Sequence, residues 1–172
     1  MRSFRLATLD DVPALHALVE SAYRGEVSRA GWTTEADFLE GQRTDHEELR
    51  GLVAGPATRL LLAHDDGQLV GCVLLKDEAQ GAYLGMLSVR PSLQSSGLGR
   101  ALLEEAERFA RVELGHRSMR MRVISLRDSL LGWYERRGYV RTGERERFPY
   151  DEPRAGKPLR DDLEFVVLTK PL

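Results

Sequence analysis

The sequence contains a single cysteine, Cys72, so no disulfide can form within the chain. Cys72 lies in an apolar stretch, and we interpret it as a packing residue rather than a nucleophile. No apolar run approaches the ~20 residues that a membrane span requires. Arg2 and Arg5 are followed by no extended apolar segment, so we expect no secretory signal. These absences predict a cytoplasmic protein without a membrane partner.

Signatures of metal sites and of two common enzyme classes are also missing. The four histidines (His16, His46, His64 and His116) are too far apart along the chain to indicate a metal cluster. There is no Gly-x-Ser-x-Gly elbow of a serine hydrolase and no Gly-x-x-x-x-Gly-Lys-Ser/Thr phosphate loop. We therefore expect no metal in the site.

The composition is that of an ordinary globular protein. With 172 residues, 42% of them hydrophobic and 30% charged, the chain is predicted to form one α/β domain over residues 1–172. Arginine supplies 22 of the 25 basic residues, which raises the question of nucleic-acid binding. Glutamates are interspersed among the arginines, and no basic stripe carries stacking aromatics, so a nucleic-acid partner is not expected.

Hydrophobic periodicity and turn residues predict the order of helices and strands. Predicted helices start near Thr8–Asp11, cover Glu35–Glu40 and His46–Val53, and recur at Ala101–Glu113 and from Asp128 to Arg137. Predicted strands are Phe4–Leu6, Arg59–His64, Leu69–Leu75, Tyr83–Val89, Met119–Ile124, Tyr139–Thr142 and Leu163–Thr169. Residues 149–162 are predicted to form a loop, and 141–147 a solvated edge strand.

A glycine-containing loop is the most informative segment. Gln94-Ser95-Ser96-Gly97-Leu98-Gly99-Arg100 lies between a predicted buried strand and an amphipathic helix. The first amides of a helix lack internal partners and carry the positive end of the helix dipole, so they favour phosphate. Glycines let a diphosphate approach those amides. The alternative is a simple cap or tight turn. Leu102 stands where a dinucleotide fingerprint would need its third glycine.

Together with Val89-Arg90-Pro91, the pattern Gln94-x-x-Gly97-x-Gly99 resembles the acyl-CoA-binding motif of the GNAT superfamily of N-acetyltransferases. The predicted order of elements is similar to that superfamily over nearly the whole chain. The resemblance implies a mixed, mostly antiparallel sheet of six or seven strands, with two splayed parallel central strands and about four flanking helices. It also implies acetyl-CoA as the acyl donor, bound by Leu87, Ser88, Val89, Gln94, Ser95, Ser96, Gly97, Leu98, Gly99, Arg100 and Arg127.

A second motif runs from Ser129 to Tyr139 and resembles the superfamily's helix with an aromatic-Tyr pair. The resemblance implies that Tyr134 lies beside the thioester sulfur, where a phenol can protonate the departing thiolate. The alternative reading is a core aromatic. Arg127 stands where the superfamily often has asparagine, and Leu130 where a small alanine is usual. Arg127 could meet a phosphate or a pantetheine carbonyl.

The acceptor site is predicted in the segment around Tyr23, Trp32 and Glu35, where loops combine aromatic and polar groups. For Trp32, a role in the core is slightly favoured over a role in binding the acceptor. Glu35, Asp37 and Glu47 are each expected to be surface charges rather than the general base. The general base therefore stays unassigned. Residues 1–86 carry 8 basic and 14 acidic side chains, against 17 and 13 in residues 87–172. The acidic excess favours a cationic acceptor, and the basic half suits an anionic cofactor.

These observations predict an enzyme that transfers an acetyl group from acetyl-CoA to a primary amine of a small molecule or peptide. Transfer would be direct, within a ternary complex. One alternative is a non-catalytic acyl-CoA-binding or sensing domain on the same fold. A second is a nucleotide-binding protein that uses the glycine loop for another diphosphate. A monomer and a homodimer both remain open.

Overall fold

The computed structural model describes the whole chain, residues 1–172. The strands are β1 (Arg2–Leu6), β2 (Leu39–Glu40), β3 (Thr58–Asp65), β4 (Gln68–Glu78), β5 (Gly81–Val89), β6 (Ser118–Ile124), β7 (Val140–Arg147), β8 (Lys157–Pro158) and β9 (Glu164–Pro171). The helices are α1 (Val12–Tyr23), α2 (Gly25–Ser28), α3 (His46–Ala54), α4 (Leu98–Val112) and α5 (Asp128–Glu135). None of them combines the length and the hydrophobicity that crossing a membrane demands.

Seven strands form one mixed sheet in the order β1-β3-β4-β5-β6-β9-β7. Every neighbouring pair is antiparallel except β5 and β6, which run parallel. The predicted α/β fold is therefore confirmed, including the edge position of β7. Five helices stand against about four expected, and one of the five, α2, is only four residues long. The two remaining strands, β2 and β8, pair separately.

The two parallel strands touch only at one end. β5 and β6 pair at Ala82–Met119 and Tyr83–Arg120, and from there they separate. On its other edge β5 carries one extra residue relative to β4, and Met86 has a φ of 52°. Such a bulge bends a strand, and a left-handed methionine is a strained conformation. The gap between the strands therefore opens beside a bend in β5.

Helices cover both faces of the sheet. On one face Leu15 of α1 and Leu49 of α3 pack against Leu62 and Cys72 of the sheet. On the opposite face α4 contributes Leu102 to the larger core cluster. Burial raises the pKa of the Cys72 thiol to about 12, which fits a packing role. The apolar face of α1, formed by Leu15, Leu18, Val19 and Ala22, is buried.

The predicted helix over Glu35–Glu40 is wrong. Only one turn forms there, in which the amides of Phe38 and Leu39 each donate to the Glu35 carbonyl at 2.9 Å. Leu39 then pairs with Pro158 in the small ladder and packs in a buried cluster with Phe148. The local helix propensity is overridden here by the burial of Leu39. That burial is a tertiary interaction, which a short segment of sequence does not reveal.

Candidate active site

The glycine loop leaves a row of backbone donors unbonded. Gly97, at a φ of 84°, is the residue before α4, and Ser95 also has a positive φ of 69°. The only amide within the row that is bonded inside the protein is that of Ser96, which donates to the Leu93 carbonyl at 3.3 Å. The unbonded amides belong to Ser95, Gly97, Leu98, Gly99 and Arg100. They sit at the positive end of the α4 dipole and form an anion-binding concavity.

Replacing Gly97 with alanine should destabilise the protein by about 1–2 kcal/mol, because a Cβ disfavours the left-handed backbone by that amount. Gly51 offers a matched control, since it lies within α3 and a Cβ there would meet no atom within 4 Å. Gly51→Ala should stabilise the protein by about 0.5–1 kcal/mol. Urea unfolding of both variants measures the difference, and equal midpoints would contradict the left-handed assignment at Gly97.

A cleft of about 550 Å³ extends from this loop along β5 to α5. The predicted cofactor residues on its wall are Leu87, Val89, Gln94, Ser95, Gly97, Gly99, Arg100 and Arg127. The side chains of Ser88 and Leu98 are buried instead. The Ser88 hydroxyl donates to the Met86 carbonyl at 3.1 Å, and Leu98 belongs to the core. The Ser96 hydroxyl donates to the Leu93 carbonyl at 2.6 Å. Only the main chain of Ser88 and Leu98 could reach a ligand, whereas Ser96 is exposed.

Gln94 is committed to the protein rather than open to a ligand. Its Oε1 accepts from the Trp32 amide at 2.8 Å and the Thr33 amide at 3.3 Å. Its Nε2 donates to Thr33 Oγ1 at 2.8 Å and to the Val89 carbonyl at 3.1 Å. A Cβ on Gly31 would lie 2.4 Å from Gln94 Oε1, so a larger residue there would displace the Gln94 side chain. Gln94 therefore anchors the loop at residues 31–33 to the end of β5.

The wall of the cleft is basic. The charged groups that line it are Arg100, Arg127, Arg136 and Arg137, with no carboxylate among them. The Arg137 guanidinium stacks 3.8 Å from the centre of the Trp133 ring and donates to the Trp133 carbonyl at 2.8 Å. Trp32 faces Trp133 with ring centres 6.1 Å apart and is 38% exposed, so the expectation of a core residue is wrong. The positive charge of the arginines on the cleft wall suits phosphate groups.

Tyr134 lies where the cleft meets a second, smaller cavity. The side chain is 5% exposed, and its hydroxyl bonds to no protein group. Burial, and next the nearby Tyr23, raise the pKa of Tyr134 well above the ordinary value of 10.0. The phenol therefore stays protonated at any working pH and can act as a proton donor but not as a base.

The second cavity, of about 200 Å³, lies toward β6 and the 148–155 segment. It shares Tyr23, Leu87, Arg127, Leu130 and Tyr134 with the cleft. The hydroxyl of Tyr23 donates to the Leu87 carbonyl, which fixes the ring at the junction. Of the predicted acceptor residues, Tyr23 and Glu35 lie on this cavity, and Trp32 lies on the cleft alone.

Glu35 is a buried ion-pair centre, so its interpretation as a surface charge is wrong. It is 8% exposed and accepts hydrogen bonds from Arg24 at 2.5 Å and Arg127 at 2.9 Å. Burial alone would raise the pKa of Glu35, but Arg127 and Arg24 outweigh it and lower the pKa. Arg127 also donates to the Thr33 carbonyl. Its two terminal nitrogens are thus bound within the protein, and a role toward the cofactor stays a prediction.

A family model described as an acetyltransferase (GNAT) domain matches residues 24–149 of the chain. The protein belongs to the GNAT acetyltransferase family. No curated protein sequence matches this GNAT protein.

Solved structures of N-acetyltransferases share the fold of this GNAT protein at low sequence identity. The ribosomal-protein-alanine N-acetyltransferase of Brucella melitensis has a TM-score of 0.73 and 21% identity, over 99% of both chains. A spermidine N-acetyltransferase chimera from Vibrio cholerae and hSSAT has a TM-score of 0.71 and 17% identity, over 99% of this chain and 95% of that one. PaiA N-acetyltransferase from Thermoplasma acidophilum, in complex with coenzyme A, has a TM-score of 0.69 and 18% identity, over 100% and 99%.

Several residues that line the second cavity of this GNAT protein are not predicted from its sequence. The second cavity is lined by arginines from separate segments, namely Arg24, Arg43, Arg122 and Arg154 besides Arg127. No local pattern marks them, because only the tertiary fold brings them together. No group of three or more His, Cys, Asp or Glu side chains is placed to hold a metal ion.

Proposed function

We propose that this GNAT protein transfers the acetyl group of acetyl-CoA to a primary amine of a small molecule or peptide, directly and within a ternary complex. One observation carries the proposal. A row of amides at residues 95–100, unbonded except for that of Ser96, heads a basic cleft whose far end holds the buried, protonated Tyr134. A solved structure of the same fold, PaiA N-acetyltransferase, contains coenzyme A, which supports the choice of donor.

The binding of the donor follows from the two ends of the cleft. The free amides and Arg100 would hold the diphosphate, and Arg136 would supply further positive charge. Beyond Tyr83, β5 no longer pairs with β6, so its edge faces the cleft. The pantetheine arm would lie along this edge as an added strand does. Both contacts lead the thioester toward Tyr134.

Acetyl transfer requires one bond to form and one to break. The acceptor nitrogen bonds to the thioester carbonyl carbon, and the carbon–sulfur bond breaks. The phenol of Tyr134 donates its proton to the departing sulfur, giving the free thiol, while the nitrogen loses a proton to water and water reprotonates the phenolate. A backbone N–H of β5 would polarise the carbonyl oxygen. Glu35 is not the base, since its carboxylate is bonded to two arginines and its pKa is lowered.

Calorimetry and a thiol-release assay test the proposal together. We expect heat on titration with acetyl-CoA and CoA, none with ATP or NAD, and release of CoA thiol that depends on an added amine. Binding of CoA without turnover of any amine would favour an acyl-CoA sensor instead. No heat with CoA at millimolar concentration would overturn the proposal, and heat with ATP or NAD would favour a nucleotide-binding protein.

A further inference from the structure

The smaller cavity carries a strong excess of positive charge. Five arginines line it, with Glu35 as the one carboxylate on its wall. Glu35 is already shared by Arg24 and Arg127. Arg122 is paired with Glu146 at 3.0 Å, outside the cavity. The positive charge that these carboxylates do not neutralise therefore lies mainly on the arginines not yet named. A ligand in the cavity would lie beside that charge.

Arg43 is the arginine without a partner. Its guanidinium makes no ion pair and no hydrogen bond within the protein, and its Cζ lies 5.6 Å from the centre of the Tyr23 ring. The backbone that presents it is fixed, because the amides of Arg43 and Thr44 donate to Glu20 Oε1 at 2.7 and 2.9 Å. Arg154, by contrast, forms two longer ion pairs, with Glu47 at 3.6 Å and Asp45 at 3.9 Å.

Arg24 supplies a buried donor that the protein does not satisfy. Its side chain is 6% exposed and donates through Nη1 to Glu35, but its Nε has no acceptor. A buried N–H without an acceptor is costly, and most buried donors in folded proteins have a hydrogen-bond partner. Arg24 lines the same cavity as Arg43. Arg24 and Arg43 therefore line one small cavity next to Tyr134, and each has guanidinium N–H groups that no acceptor in the protein binds.

We propose that the acceptor is a small primary amine that also carries an anionic group, a carboxylate by preference, which Arg43 and Arg24 bind. The inference rests on the proposed acetyl transfer and adds the class of acceptor. Guanidinium forks match carboxylate geometry, so the anion is held at this end while the amine points toward Tyr134. Leu39, Met86 and Phe148 on the same wall fit an apolar portion of the acceptor. The charge of the cavity thus favours the opposite of the cationic acceptor expected from the acidic excess of residues 1–86.

The positive charge also helps the chemistry. Like charges disfavour protonation of an amine nearby, so the arginines favour the neutral, nucleophilic form of the acceptor. An anionic group held by Arg43 keeps that acceptor bound while its amine is uncharged. This accounts for a site in which no carboxylate is free to act as a base.

Matched amine pairs test the proposal in the thiol-release assay. Phenylalanine is compared with phenylalaninamide, 4-(aminomethyl)benzoate with benzylamine, and aminoethylphosphonate and spermidine represent a phosphonate and a polycation. We expect kcat/KM for at least one carboxylate to exceed that of its neutral partner by about 10-fold or more. Turnover of spermidine or the neutral amines in preference to every anionic amine would overturn the inference and leave acetyl transfer itself intact. Preference for the phosphonate over both carboxylates would keep the anionic class but overturn the carboxylate.

Variants of single arginines locate the effect. Arg43→Met removes no ion pair, so the fold should persist, and it should lower kcat/KM for the preferred anionic amine by about 10- to 100-fold. Its effect on the neutral partner should be small, and Arg43→Lys should retain part of the preference. Arg50→Met is the matched control, since Arg50 is exposed on α3 and lines neither cavity. Equal losses for the anionic and neutral amines would overturn the role of Arg43.

A binding measurement keeps this inference separable from catalysis. Calorimetry with benzoate and 3-phenylpropionate, which have no amine, should show binding to the wild-type protein and loss of binding in Arg43→Met. If CoA does not bind but these carboxylates do, acetyl transfer fails and the anion site stands. If neither carboxylate produces heat at millimolar concentration while CoA does, the anion site is wrong and the donor site stands.

Discussion

The Tyr134→Phe variant is expected to lose about 100-fold or more in kcat while keeping its Kd for acetyl-CoA within about twofold. The phenol is the one proton donor at the junction of the two cavities whose hydroxyl has no protein partner. Removing that hydroxyl leaves the departing thiolate without a positioned acid. Because the hydroxyl is not bonded in the protein, its loss should change stability little.

Tyr139→Phe provides the control. Tyr139 is buried, and its hydroxyl donates to Glu107 at 2.9 Å, away from both cavities. This variant should lose about 1 kcal/mol of stability and retain its kcat. Steady-state kinetics and calorimetry on both variants decide the matter, and equal kcat for Tyr134→Phe and the wild type would remove Tyr134 from the mechanism.

The pH profile gives a second measure of the same group. Burial raises the pKa of Tyr134 above the ordinary tyrosine value of 10.0. A donor with a raised pKa keeps its proton as the pH rises, so kcat should not fall between about pH 7 and 10 through ionisation of Tyr134. The rate should instead rise as the acceptor amine loses its proton. A fall in that range would contradict the burial of the phenol.

The Glu35→Gln variant should be destabilised by about 3–5 kcal/mol, because it leaves two buried arginines without their shared carboxylate. Arg24 and Arg127 have side chains only 6% and 8% exposed, so water compensates poorly for the lost partner. For a chain of this length the melting temperature should fall by about 6–20 °C. Thermal unfolding monitored by circular dichroism measures the shift.

An exposed ion pair in the same region serves as the control. Glu26 pairs with Arg29 at 3.2 Å on the surface, and Glu26→Gln should cost about 0–1 kcal/mol. Similar melting temperatures for the two variants would refute the buried pair. The effect should also depend on pH. Since the folded pKa of Glu35 is lowered, its contribution is complete above the ordinary value of 4.5 and is lost as the pH falls through the folded pKa.

The sequence alone predicts those parts of the structure that local interactions determine. The glycine loop of residues 94–100, the strand before it and the helix after it all lie where periodicity and turn residues predict them, although α4 begins at Leu98 rather than Ala101. Tyr134 could be singled out because a resemblance to a known motif covered its surroundings. Such elements depend on residues within a few turns of one another, which a single sequence displays directly.

Most of the lining of the smaller cavity could not be predicted, because its residues are neighbours only in three dimensions. Glu35 meets Arg127 across 92 positions of the chain, and Arg43 reaches the same cavity from another loop. The left-handed Met86 was equally invisible, since a bulge depends on the register between β4 and β5. The total charge of each half of the chain averages over surface groups, so it did not reveal the five arginines that line this cavity.

The common wall between the cleft and the smaller cavity has a consequence for the length of the acyl chain. Leu130, where the family usually has a small alanine, lines both spaces together with Tyr23 and Tyr134. An acyl group longer than acetyl would extend past this wall into the roughly 200 Å³ beyond it. Each added carbon of the acyl chain would then occupy volume that the acceptor needs, so a longer acyl chain would require a smaller acceptor.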